Sequence, residues 1–320
     1  MRPAAIKAIL LALVRELALT ALLLLGVSAV VFAILHLSPG DRFSLLLEGQ
    51  MPGEGARAGV REALGIPQAW YALYLSWLGS ILQGNFGTSI RTGLPVLGEI
   101  VRVGPITLWL TLGSLLITLL IAVPIALRAA VRGQTVLTWS LTMLAYIASA
   151  LPVFWLGYLV IYVFIHRFGM FPLLSGSGKA QGHPWVYFAV PILVLGIGNG
   201  SLSEVIRHLR EEMSRVLAED YIRAARAKGA SVWGHAFKEG CLLPVTEIVA
   251  SKIPFIIGGA VIVEQVFNWP GMGRMAWQAA QDRDFPLIMG IAIVAAAFVR
   301  LGSLVQRVVY IAVNPRASHE

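Results

Sequence analysis

Cysteine is nearly missing from this chain: Cys241 is the single one in 320 residues, which excludes an internal disulfide and a cysteine cluster around a structural metal. Charge is scarce too. Asp, Glu, Lys and Arg make up 13% of the residues against 57% that are hydrophobic, a balance that soluble domains do not show. The six histidines, His36, His166, His183, His208, His235 and His319, are scattered without the spacing of metal ligands. Gly178–Ala180 carries a lysine but lacks the earlier glycine and the following Ser or Thr of a phosphate-binding loop. No nucleophile, acid and base converge, so the sequence gives no support to a membrane enzyme. The formal net charge of +8 raises the question of nucleic acid. The basic residues stand mostly beside apolar runs, however, where they orient a membrane protein, and no nucleic acid partner is expected.

What the chain has is apolar length. The fold class is an all-α integral membrane protein, with membrane lipid as its surroundings. A span needs about 20 apolar residues, and such runs fall near 17–37, 105–127, 136–165, 187–206, 245–267 and 285–305, which makes six expected transmembrane helices. The run at 17–37 follows Arg2, Lys7 and Arg15 in a short N-terminal segment, 1–16. It is longer than the apolar core of a cleaved signal peptide, the alternative reading, and many spans follow it. An even number of spans puts both termini on one side. Arg128 and Arg132, the basic loop 207–244 and the tail 306–320 with Arg307 and Arg316 then fall together, whereas the short opposite loops hold only Arg167, Lys179, Arg274 and Arg283. This asymmetry predicts cytoplasmic N- and C-termini in a multi-pass protein. Residues 38–104 form an extracytoplasmic segment ahead of a five-helix core, 105–305. Within it Trp70, Tyr71, Tyr74 and Trp77 recur at helical spacing, as in a helix lying on the membrane surface or packed on the bundle.

One stretch stands apart, EDYIRAARAKGASVWGHAFKEGCLLPV from Glu219 to Val245. Glu219 and Asp220 open a predicted helix and Arg226 and Lys228 close it, in keeping with the helix dipole, while Gly229 stands where a residue of positive φ ends a helix. Arg215, Glu219 and Arg223 are four apart and predict pairing along one face. Leu217, Tyr221 and Ala225 run up another toward Gly229, and small residues on it would admit a second backbone at close range. A solvated linker helix has the same features.

EDYIRAARAKG resembles the cytoplasmic loop of the permease subunits of binding-protein-dependent ABC importers, in the variant of the dipeptide, oligopeptide and nickel permeases. LSPGD (37–41), NFGTS (85–89), LPVFWLG (151–157), the stretch 263–290 and NPR (314–316) are similar to further family segments in the same order. The resemblance implies a type I importer permease fold in the bacterial inner membrane, with a coupling helix that docks on an ATPase subunit. The implied contact residues are Glu219, Asp220, Tyr221, Arg223, Ala224, Ala225, Ala227, Lys228 and Gly229. It also implies a homologous second permease subunit, two ATPase subunits and an extracytoplasmic solute-binding protein. No cofactor is expected on this chain; ATP and Mg belong to the partner ATPases. The expected cargo is di- or oligopeptide, with a nickel chelate or another small peptide-like solute as the alternative, and a stand-alone secondary transporter as a reading of a different class.

Departures accompany the resemblance. The stretch between Gly229 and Leu242 is shorter than in peptide permeases, KEG at 238–240 replaces an Arg-Asn-Ala-like run, Ser303 and Arg307 stand where Asn and Asp are usual, and the loop 168–184 is compact. Three charges inside the expected spans, Glu204, Glu247 and Lys252, match no family position. A central charge costs about 2.5–3.5 kcal/mol on insertion scales and usually faces a cavity or a partner. Glu204 and Glu247 stand near span ends, within reach of interfacial water, whereas Lys252 lies roughly 12 Å beyond Pro244 at 1.5 Å per residue. It either snorkels, or lines a translocation pathway, or meets Glu204.

Overall fold

The computed structural model describes residues 3–37, 70–133, 135–169, 184–198 and 200–313. Residues 38–41 of LSPGD, the compact loop at 170–183 and the NPR ending lie outside the described residues, as do the side chains of Lys252 and Arg307. Among the described residues the chain is helical, with an isolated bridge between Thr88 and Pro95 and no strand. The helices are α1 (Pro3–Leu37), α2 (Trp70–Leu82), α3 (Val96–Arg132), α4 (Val136–Ala150), α5 (Val153–Phe168), α6 (Pro184–Ile197), α7 (Ser201–Leu217), α8 (Asp220–Ala227), α9 (Val232–Phe237), α10 (Leu243–Val266), α11 (Met272–Gln281) and α12 (Phe285–Val313), with a π-helical turn at Lys238–Leu242 ahead of α10. Three helices, at Arg15–Leu37, Val96–Arg132 and Phe285–Leu304, are long and apolar enough to cross a membrane, and five spans result if the pairs α4–α5 and α6–α7 each count as one. At 24 residues, α10 is also of spanning length.

Proline and glycine place the ends of these helices differently from the apolar runs. The run at 105–127 is only the middle of α3, which starts at Val96 and carries Pro105 and Pro124 inside it. A proline usually marks a helix start in water, but neighbouring helices make it tolerable within a membrane helix. The run at 136–165 is two helices, α4 and α5, bent by 106°. Leu151 is held extended (φ −79°, ψ 136°) ahead of Pro152, as the residue before a proline tends to be. The run at 187–206 is broken as well: α6 ends at Ile197, and Gly200 takes a left-handed φ of 73° before α7 begins.

Two units are discernible, residues 1–101 with 279–297 and residues 102–278 with 298–320. In the first, α2 packs on α1 through Tyr74, whose hydroxyl lies 2.9 Å from Ser28 Oγ and whose ring meets Phe32 edge-on at 5.3 Å. Trp70 and Tyr71 remain exposed. The NFGTS loop is held by a fully buried Asp284, which accepts hydrogen bonds from Ser89 Oγ and from the Arg91 N–H, the latter at 3.3 Å. Asp284 also caps α12 by accepting from the Leu287 N–H at 3.2 Å. These contacts give NFGTS and the DRDFP stretch a shared structural role.

The second unit has a core in which Leu110 and Leu115 of α3, Val190 and Val194 of α6, Ala260 and Val263 of α10, and Phe267 pack together. Gly157, in LPVFWLG, lets α5 approach the end of α10: a Cβ there would lie 3.0 Å from Val266 Cγ1. Gly196 brings α6 against α3, where Thr118 Oγ1 donates to the Gly196 carbonyl at 2.6 Å. An added Cβ at Gly196 would lie 2.7 Å from the Ser114 carbonyl oxygen. Gly196→Ala is therefore expected to destabilise the purified protein by about 1–3 kcal/mol. Gly79→Ala, where a Cβ meets nothing within 4 Å, should stay within about 1 kcal/mol of wild type. Thermal unfolding in detergent checks both.

Candidate functional site

The 219–245 stretch is built onto the end of α7. That helix buries one stripe, Leu202, Val205, Ile206, Leu209, Met213 and Val216, at the spacing of an amphipathic helix, and turns Arg207, Glu211, Ser214 and Arg215 outward. It stops at Leu217. Ala218 and Glu219 then make a turn in which the Ala218 and Glu219 N–H groups donate back to Arg215 and Val216, each at 3.1 Å. This break overturns the expected Arg215–Glu219–Arg223 ladder, because Arg215 and Arg223 lie on different helices. Arg215 pairs with Glu212, and Arg223 reaches Asp220 at 3.1 Å and the Ala218 carbonyl at 3.1 Å. Both carboxylate partners lie three residues away on the same helix. The Arg223–Asp220 pair is exposed and adds little stability.

The seat of α8 is Ile222. It is fully buried and packs with Met213 and Val216 of α7, Ala236 of α9 and Cys241 of the π-helical turn, a burial worth about 1.5–3 kcal/mol. Ala225, one turn on, is 7% exposed and turns inward as well. Glu219, Asp220, Tyr221, Arg223, Ala224, Ala227, Lys228 and Gly229 are exposed. The helix thus presents a charged outer face with Asp220 in its first turn and Arg226 in its last, each sign matched to the dipole. Its end is closed by paired bonds, from the Gly229 N–H to the Arg226 carbonyl at 3.1 Å and from the Ala230 N–H to the Ala225 carbonyl at 3.0 Å. Gly229 takes φ 72°, the left-handed conformation this closure requires.

The KEG stretch forms the π-helical turn. Gly240 is buried against Met213: a Cβ would stand 2.9 Å from its Sδ and 3.3 Å from its Cα. Cys241, 3% exposed, has its thiol pKa pushed up by burial. Across the turn, the Tyr221 hydroxyl donates to Glu239 Oε2 at 2.7 Å. Partial burial, followed by this hydrogen bond and the charge of Glu239, pushes Tyr221 up to about 12. Glu239 thus links α8 to the segment that enters α10, and π-helical turns often mark functional positions.

Glu204 stands in the first turn of α7 and Glu247 just past the first turn of α10, and both are exposed on this chain. These helices pack through Leu202, Val205, Ile206, Val245 and Ile248. The Lys252 side chain is outside the described residues, and its pairing with Glu204 has no structural account. Sequence reasoning passed over Ile222, an apolar residue in a charged stretch. It also passed over Glu239, noted only as a departure, and Glu264, whose burial was signalled by the glycines that follow it.

Known proteins are similar in sequence along most of the chain. Residues 122–319 match the family described as "Binding-protein-dependent transport system inner membrane component", and the chain belongs to it: a permease component of ABC importers and a transport subunit, not an enzyme. Among its relatives are the oligopeptide transport system permease protein AppB of Bacillus subtilis (35% identity over 93% of this chain and 96% of the relative) and the probable D,D-dipeptide transport system permease protein DdpB of Escherichia coli (32%, over 92% and 94%). The glutathione transport system permease protein GsiC of Salmonella paratyphi A is 34% identical, over 91% and 94%.

The shift at Tyr221 has a measurable consequence. Between pH 10 and about 12 an unfolded tyrosine ionises while Tyr221 stays protonated, so its contribution to stability is present below pH 10 and is lost as pH rises through that window. A difference titration of wild type minus Tyr221→Phe by ultraviolet absorbance should show one tyrosine titrating near 12. Glu239→Gln should move that titration down.

Proposed function

We propose that this chain is one half of the translocation pathway of an ATP-driven peptide importer, with α8 as the coupling helix that docks on an ATPase subunit. The observation that carries this reading is the mounting of α8: anchored inside by Ile222, closed by Gly229, tied to the entry of α10 by Tyr221 and Glu239, and left with an outer face that nothing among the described residues covers. Glu219, Asp220, Tyr221, Arg223, Ala224, Ala227, Lys228 and Gly229 form the contact face. Ala225 supports it from within.

The remaining parts follow from the same reading. A homologous second permease completes the pathway, two ATPase subunits hold ATP and Mg, and an extracytoplasmic binding protein delivers the solute. The three relatives carry names of peptide-class systems, which supports a peptide cargo. Both termini and α8 face the cytoplasm, in accord with the basic residues around α7 and α8. Glu204, Glu247 and Lys252 are assigned to the polar inner mouth of the pathway, a placement supported for the two carboxylates by their exposure.

Reversing the outer charges with Arg223→Glu and Arg226→Glu together should abolish ATPase co-purification and ATP-driven peptide uptake, with membrane insertion unchanged. Wild-type co-purification and uptake in that variant would refute the assignment of α8. Orientation is checked separately in a Cys241→Ser background. A cysteine at Gln278 should react with an impermeant thiol reagent added to intact cells, and one at Ser231 should not. The opposite pattern would place α8 outside the cytoplasm.

A further inference from the structure

Glu264, near the C-terminal end of α10, is fully buried. A carboxylate without water needs donors, and here they come from two elements. Thr107 Oγ1 of α3 donates to Oε1 at 2.7 Å. The Arg274 N–H donates to Oε2 at 2.8 Å. The Thr107 hydroxyl in turn accepts from the Met272 N–H at 2.7 Å. The Arg274 guanidinium closes the base of the turn by donating to the Asn268 carbonyl at 3.1 Å, with Asn268 at a left-handed φ of 54°.

The turn is shaped around this carboxylate. A Cβ on Gly271 would overlap it, and one on Gly273 would stand 2.7 Å from Val261 Cα and 3.0 Å from Glu264 Oε2. Trp269, 2% exposed, fills the inside, its ring edge-on to Phe188 at 5.4 Å and its Nε1 donating to the Ile106 carbonyl at 3.5 Å. The segment 267–274 is therefore fastened to α10 and α3 by one carboxyl group. At the other end of α10 stands the π-helical turn that Tyr221 and Glu239 join to α8. The 24 residues between span about 36 Å at 1.5 Å per residue.

We propose that Glu264 is a positioning residue for transport: it makes the 267–274 turn move as one body with α10, so that a displacement entering the helix beside α8 is delivered at its far end. This rests on the importer reading above. It requires both carboxyl oxygens as acceptors, one toward Thr107 and one toward Arg274, because an amide would turn an NH2 donor toward N–H and O–H donors.

The test uses the complete importer, with its ATPases and binding protein, in proteoliposomes given a mixture of di-, tri- and tetra-alanine. Glu264→Gln and Thr107→Val should assemble and hydrolyse ATP, yet take up about tenfold less peptide per ATP; Thr107→Ser, which keeps the hydroxyl, should restore it. In a Cys241→Ser background, thiol labelling of Pro270→Cys, an exposed position, should differ between nucleotide-free and vanadate-trapped states. That difference should disappear with Thr107→Val. Wild-type uptake per ATP in both variants would overturn the proposal, and so would failure of both to assemble, which would leave the network a folding requirement only. A wild-type complex that takes up no peptide while hydrolysing ATP would sink the importer reading and this proposal with it.

Discussion

The burial of Ile222 beneath α8 fixes which side of that helix faces outward, and the site depends on it. An eight-residue helix is too short to persist alone, so its order comes from the residues it rests on: Met213 and Val216 at the end of α7, Ala236 of α9 and Cys241 of the π-helical turn. Once Ile222 and Ala225 point inward, Asp220, Arg223 and Lys228 have no direction left but outward. The charge pattern that looked like an exposed pairing ladder is instead a surface with one apolar anchor beneath it.

From that anchor the connection runs through close contacts. Met213, which packs on Ile222, also leaves room only for glycine at 240, and the π-helical turn containing Gly240 runs directly into α10. Tyr221 adds a side-chain bond to the same turn. Interiors packed this closely transmit displacement rather than absorb it. The far end of α10 is as firmly tied, through Glu264, to a turn whose two glycines leave the carboxylate its space.

Much of this was legible in the residue order. Hydrophobic runs indicated where helices lie, and the Glu219–Gly229 stretch showed its caps, because dipole-matched charges and a terminal glycine act locally. Break positions were less legible. Pro105 sits inside α3, where it read as a helix start, whereas Leu151-Pro152 breaks a run that read as continuous; proline's effect depends on what surrounds the freed backbone. The Arg215–Glu219 pairing failed because a two-residue turn resets the helical register, and four-residue spacing has no meaning across it. Ile222, Glu239 and Glu264 escaped attention because their roles come from partners on other elements, 6 to 157 residues away, such as Thr107 for Glu264, and no periodic pattern in one segment encodes such pairs.

The most direct measurement of the central claim is a photo-crosslinking scan along α8 in membranes containing the assembled importer. A crosslinking amino acid at 223 or 226, on the outward face, is expected to capture an ATPase subunit, whereas one at 222, beneath the helix, captures this chain's own α7 or α9. Capture of lipid alone from 223 and 226, or capture of the ATPase from 222, would contradict the account.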